Sequence, residues 1–173
     1  MTVEFPWLQD LFVKHRGQPL YVNGQQIIQM DRIEIPSRAL IKLKFLGDKI
    51  FEGNAAVIAV DKPDKIFLCD GSTATAVAIW DEPGLPREVT HLVDSKKCNL
   101  KVYNKYYITF SDGFVVEESF TGNAGMHVVK ISENVRRYEC SNAVGPVCLN
   151  DLVFELCWEP ATAETEEQWA KSC

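Results

Sequence analysis

The sequence predicts a mainly β (α+β) fold, a single antiparallel β-sandwich or barrel-like domain of about nine or ten short strands with an N-terminal helix. From Leu20 onward, apolar side chains alternate with polar ones, which is the period of a half-buried strand. Clusters of Gly, Pro, Asn and Asp separate these segments at regular intervals. The chain has 173 residues, of which 46% are apolar, and this length suits one domain with a full core.

A helical pattern precedes the strands. Its apolar positions recur at spacings of three, four and seven, and they are Phe5, Leu8, Leu11 and Phe12. This spacing predicts an amphipathic helix over residues 5–16. Pro6 is tolerated in the first helical turn, and Gly17 can adopt the left-handed conformation that ends a helix.

The strand pattern continues almost to the C-terminus. It covers residues 25–35, 40–51, 55–61, 65–70, 73–80, 88–93, 99–110, 113–120, 126–132, 136–140 and 152–158. The segment 73–80 carries no charge and consists almost entirely of β-forming residues. We therefore expect it at the centre of the sheet, where both faces of a strand are covered.

Residues 106–120 predict a hairpin whose register follows from burial. A three-residue loop at 111–113 gives the pairs Phe110–Phe114, Ile108–Val116 and Tyr106–Glu118. A two-residue loop would leave both faces mixed, because a slip of one residue moves every side chain to the other face. The longer loop also places Gly113 where a left-handed residue is needed. We expect the Phe110 face to be scaffold and the Tyr107 face to be accessible.

The C-terminus differs in composition from the rest. We predict that residues 1–160 form the domain and that residues 161–173 form an acidic tail or a short helix. Its acidic residues are Glu164, Glu166 and Glu167. Trp169 indicates docking, because a free tail seldom carries a tryptophan. The acidic side chains could alternatively imitate the phosphate path of a nucleic acid.

The charge of the chain bears on its partners. With 24 acidic and 18 basic residues the net charge is −6, which disfavours general attraction to nucleic acid or to an anionic membrane. A basic partner would be attracted instead. The sequence contains no apolar run of 18 residues, so we expect no transmembrane helix.

The expected compartment is the cytoplasm, because the N-terminal segment lacks the pattern of a signal peptide. The cysteines are Cys69, Cys98, Cys140, Cys148, Cys157 and Cys173. In a reducing compartment we expect them as free thiols, several of them buried.

The sequence shows few of the residue spacings that are typical of catalytic or metal sites. No cysteine pair has the spacing of a zinc site, and the three histidines are scattered. No glycine pattern presents a nucleophile or cradles a phosphate. Cys140, in the most polar context, is the first candidate if a cysteine is catalytic. We predict no metal and no cofactor, and an enzyme is the less favoured class.

One stretch carries a local basic-aromatic pattern. Lys101, Tyr103, Lys105 and Tyr107 alternate along one strand and therefore share one face. Such a face suits a protein partner, because tyrosine is enriched at interfaces. Alternatively, it could stack bases of single-stranded nucleic acid. In the predicted register Glu117 lies opposite Tyr107 and belongs to the same face.

The function predicted is a non-catalytic protein-binding module that blocks or neutralises its partner, of the toxin-immunity or anti-defence type. The predicted partner-binding residues are Lys101, Tyr103, Lys105, Tyr107, Glu117, Glu164, Glu166, Glu167 and Trp169. The alternative class is an enzyme or small-ligand binder with an interior pocket. Residues that could line this pocket are Cys69, Trp80, His127 and Tyr138.

Overall fold

The computed structural model describes residues 6–173 and has the predicted mainly β fold, a sandwich of antiparallel sheets with a helix near each end. The helices are α1 (Leu8–Lys14) and α2 (Ala163–Ser172). The strands are β1 (Leu20–Val22), β2 (Gln25–Ile27), β3 (Asp31–Glu34), β4 (Arg38–Phe45), β5 (Asn54–Ala59), β6 (Lys65–Phe67), β7 (Thr73–Ala74), β8 (Ala76–Trp80), β9 (Glu88–Asp94), β10 (Asn99–Thr109), β11 (Val115–Glu118), β12 (Gly125–Ser132), β13 (Val135–Ser141) and β14 (Leu152–Pro160).

Two sheets form the sandwich. The larger has seven strands in the order β12-β13-β14-β4-β9-β6-β7. The smaller has five strands in the order β11-β10-β5-β8, and β3 pairs with β10 along the same edge as β11. Strands β1 and β2 form a separate hairpin that packs with α1. The described residues contain 14 strands rather than about nine or ten. The segments 25–35 and 73–80 are each divided into two strands, and β1 lies outside the predicted segments.

The core lies between the two sheets. Alternate residues of β14 point into it, and they are Leu152, Phe154, Leu156 and Trp158. The ring of Tyr138 stacks on that of Phe154, with 4.8 Å between the centroids. Alternation of apolar and polar residues, visible in the sequence, therefore builds this interior directly.

A polar network bridges the two sheets at the edge of this core. Asp31 of β3 accepts a hydrogen bond of 2.8 Å from the Tyr138 hydroxyl and pairs with Arg136 at 2.6 Å. Burial and the Asp31 carboxylate raise the pKa of Tyr138, so its hydroxyl stays a donor. The partly buried carboxylate thus receives two donors from the facing sheet, both at its Oδ2.

The centre of the small sheet is β5 and not the segment 73–80. All six residues of β5 are buried, whereas β7 and β8 lie at the edges of the large and the small sheet. The prediction for 73–80 was wrong because absence of charge was taken as burial. Alanine and threonine expose so little apolar area that an edge position costs little.

The hairpin of β10 and β11 has the predicted register. Tyr106 pairs with Glu118 and Ile108 with Val116, and the Phe110 N–H donates to the Phe114 carbonyl at 2.8 Å. The prediction that the Phe110 face is scaffold was wrong at the hairpin tip. Phe110 is 50% exposed and Phe114 is 63% exposed, because the tip extends beyond the core.

Helix α1 is shorter than the predicted 5–16. It begins at Leu8 and buries Leu8 and Phe12, while the predicted Phe5 lies outside the described residues. The left-handed turn after the helix begins at Arg16, with a φ of +53°, one residue before the predicted Gly17. Gly17 is also left-handed, with a φ of +74°, and its N–H donates to the Phe12 carbonyl at 2.7 Å.

The C-terminal segment is a helix. Thr162 caps it, accepting a hydrogen bond from the Thr165 N–H, and the Thr165 hydroxyl completes the capping box. Cys173, directly after α2, forms a disulfide with Cys69 in the loop after β6. The expectation of free thiols is therefore wrong for this pair, which tertiary structure brings together across 104 positions of sequence.

Candidate protein-binding face

The outward residues of β10 lie where the sequence places them. Burial alternates along the strand, so Lys101, Tyr103, Lys105 and Tyr107 point away from the core. Their inward neighbours Leu100, Val102, Asn104 and Tyr106 are buried. The strand is long enough to present all four outward side chains on the outer surface of the small sheet.

The neighbouring strand β5 forms the floor of this surface. Its outward residues are small, and they are Ala55, Val57 and Ala59. They are buried beside the larger outward side chains of β10, and Trp80 of β8 lies opposite Ala55. Trp80 of β8 stacks on Tyr107 with a centroid distance of 4.2 Å and an interplanar angle of 11°. The stack spans β5, with Tyr107 still 40% exposed.

A second aromatic pair extends the surface towards β11. The ring of Phe120 lies against Tyr103, with 4.9 Å between the centroids. Phe120 follows β11 with a φ of +64°, so strand alternation does not determine its direction. We name the surface made by Trp80, Lys101, Tyr103, Lys105, Tyr107, Glu117 and Phe120 the aromatic face.

The charges of the aromatic face are balanced. Lys105 pairs with Glu117 at 3.2 Å, and Lys101 pairs with Asp61. The hydrogen bond from Lys101 lowers the pKa of Asp61. Because both lysines pair with acidic side chains, the aromatic face has little excess positive charge to attract a nucleic-acid backbone. This arrangement argues against the nucleic-acid alternative.

The C-terminal candidates lie elsewhere. Glu164, Glu166, Glu167 and Trp169 belong to α2, which packs on β9 at the outer surface of the large sheet. Glu166 pairs with Arg38 at 2.6 Å, and the Trp169 indole N–H donates to the Thr90 carbonyl at 2.8 Å. The structure therefore brings five predicted site residues together and places the other four on the opposite surface of the sandwich.

The residues suggested for an interior pocket do not meet. Tyr138 is buried in the core, and Trp80 lies on the aromatic face. His127 places its Nδ1 3.0 Å from the Gln26 carbonyl oxygen, and Cys69 is bonded to Cys173 at the surface. The four side chains thus occupy four separate environments and do not line one common pocket.

Two of the thiols outside the disulfide, Cys140 and Cys157, do not resemble nucleophiles. Cys140 is fully buried, and burial raises the pKa of its thiol well above the usual value. Burial also raises the pKa of Cys157. A nucleophilic cysteine needs the opposite shift, since the thiolate is the reactive form.

Within residues 6–173 no group of three His, Cys, Asp or Glu side chains is placed to hold a metal ion. Neither of the two helices described has the length and apolarity needed to span a bilayer. Comparison of the chain with protein-family models, curated proteins and solved structures found no significant match.

Two residues of the aromatic face were missed by the sequence prediction of a binding surface. Trp80 was assigned to the alternative pocket, and Phe120 was not singled out. The alternation of β8 together with its pairing to β5 would have revealed Trp80, but this pairing is not visible in the sequence. Phe120 had no periodic signal because its backbone departs from the extended conformation.

Proposed function

We propose that this protein is a non-catalytic protein-binding module whose aromatic face docks on another protein. The observation that carries the proposal is a sheet surface that neither described helix covers, with two aromatic pairs, Trp80–Tyr107 and Tyr103–Phe120. Helix α1 packs with β1 and β2, and α2 packs on β9, so neither helix covers this surface.

The chemistry of the face fits a protein partner. Tyrosine and tryptophan supply large contact areas with few rotatable bonds, and they are enriched among the residues that dominate binding energy. The Lys105–Glu117 and Lys101–Asp61 pairs flank the rings with both signs of charge. Paired charges at a rim influence orientation and association rate more than affinity.

The binding itself would be the function, as the protein would act by occupying a surface of its partner. Support comes from the raised pKa values of the Cys140 and Cys157 thiols, since a nucleophilic thiol needs the opposite shift. A neutralising role of the toxin-immunity or anti-defence type and a location in the cytoplasm stay predictions. The net charge of −6 favours a partner with a basic surface.

The test compares one double variant with a matched control in affinity capture from the native host. The variant Tyr107→Ala/Lys105→Ala removes one ring and one charge from the face. The control Tyr21→Ala/Lys130→Ala removes the same side chains from exposed positions outside the face. The captured partner is then titrated against each purified protein by calorimetry.

We expect the face variant to bind the partner at least about thirtyfold more weakly, the loss typical of a central aromatic contact. The control should bind like the wild type, and all three should have similar circular dichroism spectra. Equal affinities of wild type and face variant would remove the aromatic face from the proposal.

A further inference from the structure

The edge strand β8 offers a second interaction surface. It is paired with β5 on one side, in the register Ala56–Ile79 and Ile58–Val77. The Val60 N–H donates to the Thr75 carbonyl at 2.8 Å, and the Asp81 N–H donates to the Asn54 carbonyl at 3.1 Å. Hydrogen-bonded pairs therefore fall on the odd-numbered residues of β8.

It follows that Ala76, Ala78 and Trp80 direct their N–H and C=O groups away from β5. In the described part of the chain no strand pairs with this side of β8. Three consecutive donor–acceptor sets at a spacing of two residues are what another extended strand needs.

This edge also lacks the protection that other edges of the sandwich carry. Strand β11 has Glu117 and Glu118, β3 has Arg32 among its charges, and β12 has Lys130 beside a bulge. The run 72–80 contains no charge and no proline, and the pairing of β8 with β5 contains no bulge. Natural proteins usually block such an edge unless it is used for pairing.

We propose that β8 pairs antiparallel with β8 of a second copy of this chain, centred on Ala78. In this register Ala78 faces Ala78 of the other copy, and Trp80 faces Ala76. The large ring therefore always meets a small side chain. On the inner face Val77, which is half-buried, meets Ile79. A two-fold axis through the pair makes the contact self-complementary and closed.

The consequence is one continuous sheet built from the small sheets of two copies. Both aromatic faces then lie on the same side of this sheet. A partner with two identical binding sites would be held by both copies, which raises its effective concentration. The contact along one short strand is small, so the dimer dissociates on dilution.

The first experiment is sedimentation velocity of the wild type between about 1 µM and about 500 µM, where a weak dimer is expected to form. The variants are Ala78→Lys and Ala78→Glu, each alone and mixed in equal amounts. Like charges directly opposite each other should weaken self-association about tenfold or more. The mixture should restore it, because only this register places residue 78 opposite itself. Val115→Lys, on the far edge strand of the same sheet, is the control and should dimerise like the wild type.

A second measurement keeps the test independent of how the variants fold. Hydrogen exchange of the Ala76, Ala78 and Trp80 amides in the wild type should slow with rising protein concentration, while the amides bonded to β5 should not change. A wild type that stays monomeric at about 500 µM, or concentration-independent exchange at these amides, would overturn the proposal. A mixture that fails to restore the dimer would also overturn it. So would weaker binding of the partner protein by Ala78→Lys while the wild type stays monomeric, since the edge would then belong to a strand of that partner.

Discussion

The two outer surfaces of the sandwich carry similar side chains that have different structural roles. On the large sheet, Trp169 and the Glu166–Arg38 pair fix α2 to the strands beneath it. On the small sheet, Trp80 and the Lys105–Glu117 pair belong to the aromatic face, and neither described helix lies above them. A tryptophan beside paired charges thus holds a helix on one surface and none of the described helices on the other, and only tertiary structure distinguishes the two cases.

The largest effect that tests this comparison concerns the disulfide on the covered surface. Cys69→Ser should lower the free energy of unfolding by about 3 kcal/mol, because the bond closes a long loop in the unfolded chain. The loop spans 104 residue positions. Urea denaturation without reductant measures the change.

The matched control for this prediction is Cys148→Ser, which removes an exposed cysteine outside the disulfide and should leave stability unchanged. With reductant present, wild type and Cys69→Ser should unfold at nearly the same urea concentration. A difference that persists in reductant would mean that residue 69 matters for packing and not for the bond.

An intermediate loss of stability should distinguish the two tryptophan-containing surfaces. Trp169→Ala should cost about 2 kcal/mol of stability, since a half-buried ring and a hydrogen bond to the Thr90 carbonyl are lost together. Tyr107→Ala should cost about 1 kcal/mol, the order of one aromatic pair. Thermal unfolding of both variants measures the contrast. Equal losses would mean that the aromatic face is as much a part of the scaffold as α2.

The smallest effect is the pH dependence of the Glu166–Arg38 pair. The hydrogen bond from Arg38 lowers the pKa of Glu166 below its ordinary value of 4.5, so the folded state holds the charged form more tightly than the unfolded state. Its contribution is present above pH 4.5 and is lost as the pH falls through the lowered pKa.

Glu166→Gln should therefore be less stable than the wild type at pH 7, by at most about 1 kcal/mol for a partly exposed pair. The two proteins should converge in acid. Urea titrations at a series of pH values check this, with the exposed Glu164→Gln as the control. A constant difference at every pH would assign the effect to packing and not to charge.

The sequence predicted those features that depend on alternation within one strand or across one turn. The four outward residues of β10 and the register of its hairpin with β11 followed from period two and from Gly113. Burial and turn geometry are local constraints, and in this segment they leave few alternative strand registers.

Features that depend on distant segments could not be predicted. The approach of Cys173 to Cys69 requires α2 to lie across the large sheet, and no spacing in the sequence encodes that path. The edge position of β8 depends on which strand lies beside β5. Phe110 is exposed because the hairpin of β10 and β11 extends beyond the core, and the sequence does not show where the core ends.

The bridge from Asp31 to Arg136 and Tyr138 has a consequence for recognition. Because these side chains join the facing sheets, they oppose sliding of the layer that bears Tyr103 relative to the layer behind it. A surface held in this way loses little conformational freedom when it meets its counterpart. Association should then be governed by desolvation and shape matching, and structures of the free and occupied states should superimpose closely along β10.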